Sequence, residues 1–204
     1  MITPVTFAID QNDSLSDIQF CGSGQFAIKL NKIDKVCNIW LSGEIYYNVQ
    51  SYSRLMSLLV SLSEDYIVYM NINSPGGAIS TACNIIAAMQ QCKAKIITRN
   101  MGLAASCGSL ILAFGSEIEI CHNAITMFHS SATGYNFEVS QRILNKTDHL
   151  VKYTEYLLTL IQKKGLITQE EFDGIINNTF EYYIPANDMV DRITKAGILY
   201  RGDR

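Results

Sequence analysis

The sequence predicts an α/β fold of repeated βαβ units from which one long helix protrudes. Two successive stretches share one grammar: an apolar strand, a glycine-containing turn and a helix, over residues 66–89 and again over 95–112. Parallel strands need such crossovers, which are almost always right-handed. A third observation is the stretch from Phe137 to Lys164, where Val139, Ile143, Leu144, Leu150, Val151, Leu157, Leu158 and Ile161 mark a helix far longer than the usual three turns.

Taken in order, the polar residues Asn12 to Gly24, with Gly22 and Gly24, suggest a loop or arm ahead of the first strong strand signal at Val36 to Leu41. Residues 46–62 fit a helix. Tyr66 to Met70 is a continuous apolar run, as expected of a parallel strand covered on both faces. The breaker cluster Asn73-Ser74-Pro75-Gly76-Gly77 follows, and then Ile79, Ala82, Cys83, Ile86 and Met89 recur at helical spacing. Lys95 to Thr98 reads as a strand, Gly102 as a turn and Ala104 to Leu112 as a helix. Glu117 to Cys121 and Ala124 to Phe128 read as strands. Gly165 stops the long helix, and Thr168 with Glu171 forms a capping box that opens a helix over 169–177.

The 204 residues suit one domain, and 48% apolar against 17% charged residues excludes disorder as the main state. Lys+Arg 16 against Asp+Glu 19 leaves a net charge of −3, so nothing is available to displace counterions from a polyphosphate, and nucleic acid is not an expected partner. The uncharged, apolar-rich stretch 100–116 is too short for a bilayer span and carries Gly102, Ser106, Gly108 and Ser109, so no membrane is expected. Met1 to Gln11 has neither a basic residue nor an apolar h-region, which makes the cytoplasm the expected compartment. Six cysteines (21, 37, 83, 92, 107, 121) show no metal spacing and are expected to be free thiols; no metal or organic cofactor is expected.

Ser106 lies between a strand and an apolar helix, among Gly102, Ala104, Ala105 and Gly108, where small neighbours let a substrate approach. Unpaired N–H groups at a helix start can stabilise an alkoxide or oxyanion there. A serine nucleophile needs a base, and the histidines are His122, His129 and His149. His129 is the best placed, at the end of an apolar strand, where parallel sheets present side chains to a site. Gly76-Gly77 leaves backbone N–H groups open to an anionic centre, and it lacks the spacing of a phosphate loop.

Asn73-Ser74-Pro75-Gly76-Gly77, Gly102-Leu103-Ala104-Ala105-Ser106-Cys107-Gly108 and Met127-Phe128-His129, in this order, resemble the signature segments of the proteolytic subunit of the Clp protease, the ClpP family. The resemblance runs from about Trp40 to Leu199. It implies one peptidase domain over 1–204 with a ClpP/crotonase-like fold, a divergent segment over 1–35 and residues 137–164 as the family's handle helix. It also implies a serine endopeptidase with Ser106 as nucleophile, His129 as general base and the N–H groups of Gly77 and Cys107 as oxyanion hole. The family's third member, an Asp, is replaced by Glu181 in Glu181-Tyr182-Tyr183-Ile184-Pro185-Ala186; Asn178 or Asp173 are alternatives, and an incomplete triad is another. Family resemblance further implies self-association into two stacked heptameric rings, an AAA+ unfoldase partner, and unfolded proteins or peptides as substrates. Ser130 to Tyr135 differs from the family at the strand edge that receives substrate. Two rivals remain: a catalytically silent ring subunit of the same fold, and a crotonase-type acyl-CoA enzyme using Gly77 to hold a thioester enolate.

Overall fold

The computed structural model describes residues 18–23, 26–130, 140–178 and 180–198. In β2 (Phe26–Asn31), Phe26, Ile28 and Leu30 alternate with less buried neighbours and face the core, the period of two expected of a half-covered strand. This strand pairs antiparallel with β1 (Ile18–Ser23) on one side and β3 (Val36–Ser42) on the other. From β3 the sheet becomes parallel through β4 (Ile67–Ser74) and β5 (Lys95–Ala105).

β5 is long enough to serve two neighbours. Its first part pairs with β6 (Glu117–Ile120) and its last residues, Leu103 to Ala105, with β7 (Ile125–Phe128), both parallel. β8 (Tyr182–Pro185) closes the order antiparallel to β7. The connections from β3 to β4 and from β4 to β5 carry α1 (Ser53–Ser61) and α2 (Ile79–Gln91), and α3 (Cys107–Ala113) follows β5. Ile39, Leu41, Met70 and Ile72 of the sheet are fully buried, as are Leu55 and Leu59 of α1, Ile85 of α2 and Ile111 and Leu112 of α3, in one continuous core. At roughly 1.5–3 kcal/mol for each such side chain, this layer dominates the stabilisation.

All seven residues of α3 are buried, so the turn that leads into it is held by the core rather than by solvent. α4 (Ser140–Lys163) reaches the same helix from outside. Leu157, Leu158 and Ile161 are buried, Gly165 ends the helix at φ 78°, and the Leu166 N–H returns to the Ile161 carbonyl at 3.3 Å. The Lys164 Nζ donates to Ala113 O at 2.7 Å, which caps the far end of α3; burial holds this ammonium below its ordinary pKa. α5 (Gln169–Asn178) starts on the expected capping box, with Glu171 N–H to Thr168 Oγ1 at 3.1 Å and Thr168 N–H to Glu171 Oε2 at 2.8 Å. Arg192 of α6 (Ala186–Lys195) then grips both oxygens of the same carboxylate, at 2.6 and 2.8 Å.

Several expectations are corrected. Residues 18–23 form a strand rather than part of a loop, because β2 supplies a complete antiparallel register that local composition does not reveal. The helix expected over 46–62 starts at Ser53 after a 3-10 turn over 49–52, since the backbone at Ile45 is engaged by Gly76 and Ala78. Gly102 is not a turn. β5 runs extended to Ala105, and the helix starts only at Cys107, because residues 103–105 find a second partner in β7. β4 is covered fully on one face and partly on the other: Val68, Met70 and Ile72 are buried, while on the second face Asn71 is buried and Ile67 and Tyr69 are half-buried, with the Arg99 guanidinium 3.8 Å from the Tyr69 ring centre. The part of the long helix expected over 137–139, and residues 131–135, lie outside the described residues. No described helix is long and apolar enough to cross a membrane.

Candidate active site

At the end of β5 the chain turns abruptly. Ser106 N–H still donates to Met127 O of β7 at 2.9 Å, yet Ser106 itself lies at φ 53°, ψ −123°, a conformation that costs a non-glycine residue about 1–3 kcal/mol. Its carbonyl accepts from Ser109 and Leu110 N–H groups at 3.0 and 3.2 Å, so the strained residue is locked between a strand ladder and a buried helix. The side chain is thereby thrust out of the sheet end. As the first residue of α3, Cys107 has an N–H without an acceptor inside the helix.

The turn after β4 lies against this corner. A Cβ on Gly76 would stand 2.6 Å from Ser106 Cβ and 2.9 Å from Cys107 N, closer than any side chain tolerates, and Gly76 has φ 99°. Gly77 is bridged in parallel to Ile45: Ile45 N–H donates to Gly76 O, and Ala78 N–H donates to Ile45 O, each at 2.7 Å. In such a bridge the middle residue turns its own polar groups to the opposite side. That side faces Cys107, whose thiol donates to Gly77 O at 3.1 Å. Burial, and secondarily Cys83, pushes the Cys107 thiol up to about 12, so it remains a protonated donor and ties the Gly77 carbonyl to the start of α3.

His129 follows β7 directly, and its Nε2 lies 2.7 Å from Ser106 Oγ. A hydroxyl at that distance can pass its proton to a neutral imidazole whose own hydrogen sits on Nδ1. Continuing the β7–β8 register by one pair beyond Phe128↔Tyr182 brings Glu181 opposite His129. The carboxylate Oε1 is 3.9 Å from Nδ1, beyond hydrogen-bond length, and the Glu181 side chain is 51% exposed against 20% for His129. The attraction is real and screened. Burial holds the His129 pKa below the ordinary imidazole value, and Glu181 opposes that effect in part.

Of the residues singled out from sequence, the structure brings Ser106, His129, Gly77 and Cys107 into one open cleft of about 220 Å³, with Glu181 at its edge. Asp173 is exposed on α5, bonded to Gln169 Nε2 at 2.8 Å, and His149 is exposed on α4; neither joins the group. The side chain of Asn178 lies outside the described residues. Tyr47, Ile79, Leu110 and Thr154 also line the cleft. No sequence signal marks Tyr47 or Thr154, which come from a loop and from the middle of α4 and meet only in three dimensions.

Comparison with known proteins agrees with this topology. The family model described as Clp protease matches residues 23–191. The chain belongs to the Clp protease family. It has that family's crotonase-like α/β fold, and the expectation of family and fold class drawn from the sequence is met. An ATP-dependent Clp protease proteolytic subunit of Physcomitrium patens is 34% identical over 115 residues, 54% of this chain and 57% of the relative. The subunit of the same name from Atropa belladonna is also 34% identical, over 125 residues, 58% of this chain and 63% of the relative. A chloroplastic proteolytic subunit 3 from Arabidopsis thaliana is 42% identical over 86 residues, 40% of this chain and 28% of the relative. The matched stretches thus span less than two thirds of these relatives' own length.

Proposed function

We propose that this Clp protease family member is a serine-type endopeptidase subunit in which Ser106 is the nucleophile. The observation that carries this reading is the 2.7 Å contact of its Oγ with His129 Nε2, on a residue strained into the strand–helix turn. His129 Nε2 takes the hydroxyl proton as Oγ bonds to the peptide carbonyl carbon, and the carbonyl electron pair moves onto oxygen. The N–H groups of Gly77 and Cys107 hold that oxyanion. The imidazolium gives its proton to the leaving amine as the C–N bond breaks, and water resolves the ester by the same steps reversed. The relatives' name, ATP-dependent Clp protease proteolytic subunit, supports an ATP-driven partner, and membership of the Clp protease family extends the proposal to an AAA+ unfoldase, to unfolded chains or peptides as substrates and to assembly into stacked rings. Ser106 paired with His129 disfavours the acyl-CoA reading, which needs neither group.

A serine-reactive fluorophosphonate, applied to the assembled protein and followed by peptide mapping, tests the reading: labelling at Ser106 is expected. The 3.9 Å gap between His129 and Glu181 favours one second reading, a silent ring subunit, and absence of labelling beside a labelled active family member would establish it.

The base must be neutral to accept a proton, and its folded-state pKa is lowered. On the acid side, kcat/KM for a neutral peptide therefore falls as pH drops through a value under the ordinary 6.5 and is flat just above it. A pH–rate profile with its acid limb above 6.5 contradicts the buried imidazole as base. Because Glu181 is solvated and not hydrogen-bonded to Nδ1, Glu181→Ala is expected to lower kcat by about 10- to 100-fold, well short of the loss from removing a tightly bonded carboxylate.

A further inference from the structure

We propose that Tyr183 is a positioning residue: its phenol holds the Glu181 carboxylate so that a side chain one methylene longer than aspartate keeps one oxygen toward His129. The proposal rests on the serine-peptidase reading above. Tyr183 O–H donates to Glu181 Oε2 at 3.0 Å, while Oε1 is the oxygen that faces His129 Nδ1 at 3.9 Å. The two oxygens of one carboxylate are thus divided between two partners.

A glutamate in this place needs a second anchor. It has one more rotatable bond than aspartate, lies half in solvent, and has no hydrogen bond to the imidazole that would choose among its rotamers. Residues 181 and 183, two apart on an extended chain, point to the same side. The tyrosine backbone is fixed, since Tyr183 sits opposite Met127 in the β7–β8 ladder and Ile184 beside it is buried. The ring itself is exposed, so its packing explains little of its presence there. The hydrogen bond to the carboxylate, and then its charge, raise the phenol's pKa, which keeps Tyr183 a donor across the neutral range.

Among the described residues the ionisable groups facing His129 are Glu181 from the β8 side and, across the cleft, the Cys107 thiol and the Tyr47 phenol. Cys107 stays neutral. The carboxylate is the charge that His129 feels, and its average position is what Tyr183 controls.

The test is the imidazole titration of His129, followed by NMR in the intact protein, for wild type, Tyr183→Phe, Glu181→Gln and the double variant. This readout does not require activity. Glu181→Gln is expected to lower the His129 pKa by about half a pH unit, Tyr183→Phe to lower it less, and the double variant to match Glu181→Gln alone. In parallel, Tyr183→Phe is expected to reduce kcat for a peptide about 3- to 10-fold with KM unchanged. An unshifted His129 in Tyr183→Phe overturns the proposal, as does an upward shift, which would mean that the phenol draws the carboxylate away. The titration pattern without hydrolysis by the wild type would instead retain the positioning role and remove the peptidase reading.

Discussion

Ser106→Ala is expected to abolish peptide hydrolysis, with kcat falling by about 10⁴- to 10⁶-fold, while the protein stays folded. The two halves of that expectation have separate causes. Ser106 Oγ is paired with His129, and removing the hydroxyl leaves no nucleophile at a position where water cannot be held with the same orientation. The backbone bonds that fix the turn, from Ser106 N–H to Met127 O and from Ser109 and Leu110 to Ser106 O, do not involve the side chain. Alanine at φ 53° is as strained as serine, so the melting temperature should stay within about 2 °C of wild type. Glycine at the same position relieves the strain, and Ser106→Gly is expected to be equally inactive and about 1 kcal/mol more stable than Ser106→Ala. Hydrolysis and fluorophosphonate labelling of both variants, with thermal unfolding alongside, measure the two effects independently. Hydrolysis by Ser106→Ala at the wild-type rate would remove the serine from the reaction.

The parts of the site that were legible in the sequence are those set by local chemistry. Gly76-Gly77 after a strand, Ser106 before an apolar helix and His129 at a strand end each announce a backbone conformation through residue type, and the structure brings the three turns together. What local chemistry does not encode is pairing. β1 is a strand because β2 lies beside it, and Gly102 stays extended because residues 103–105 find β7. The position of Glu181 belongs to the same class: it faces His129 only because β8 runs antiparallel to β7 in one register. A slip by one residue would send Glu181 to the other face and bring Tyr182 opposite the imidazole. Residues 186–195 read as little from composition, yet Met189 and Ile193 are fully buried, and Arg192 of that helix is bound to the carboxylate that opens α5.

The strain at Ser106 and the absent side chain at Gly76 are two sides of one contact. A serine pushed out of the sheet end at positive φ brings its Cβ and the Cys107 N–H against the β4 turn, and only a chain without Cβ atoms can lie there. This close approach is what brings the Gly76-Gly77 turn beside the Cys107 N–H. Neither turn alone would define an oxyanion site.

Gly77→Ala tests the other support of the same turn, its bridge to Ile45. Gly77 has φ 138°, open in practice to glycine alone, and an added Cβ would overlap the Ile45 carbonyl while also lying 3.0 Å from the Ile45 carbonyl carbon and nitrogen. Ile45 cannot yield, because its N–H and C=O are both bonded, to Gly76 O and Ala78 N–H, and its side chain is buried. The expected cost is about 3–5 kcal/mol, which for a domain of this size lowers the melting temperature by about 6–20 °C. Gly43→Ala provides the control. Gly43 also has positive φ, 79°, but nothing lies within 4 Å of its would-be Cβ, so only the left-handed conformation is penalised, by about 1 kcal/mol. Gly43→Ala should therefore keep its hydrolysis rate. In Gly77→Ala, measured well below its melting point where the chain is folded, the bridge to Ile45 must open and the Gly77 amide must move, so kcat is expected to fall by about 10²- to 10³-fold, the usual loss for one oxyanion donor. Equal melting temperatures and equal rates for the two variants would mean that the β4 turn accommodates a side chain freely, and the two amides would then have no fixed point to share.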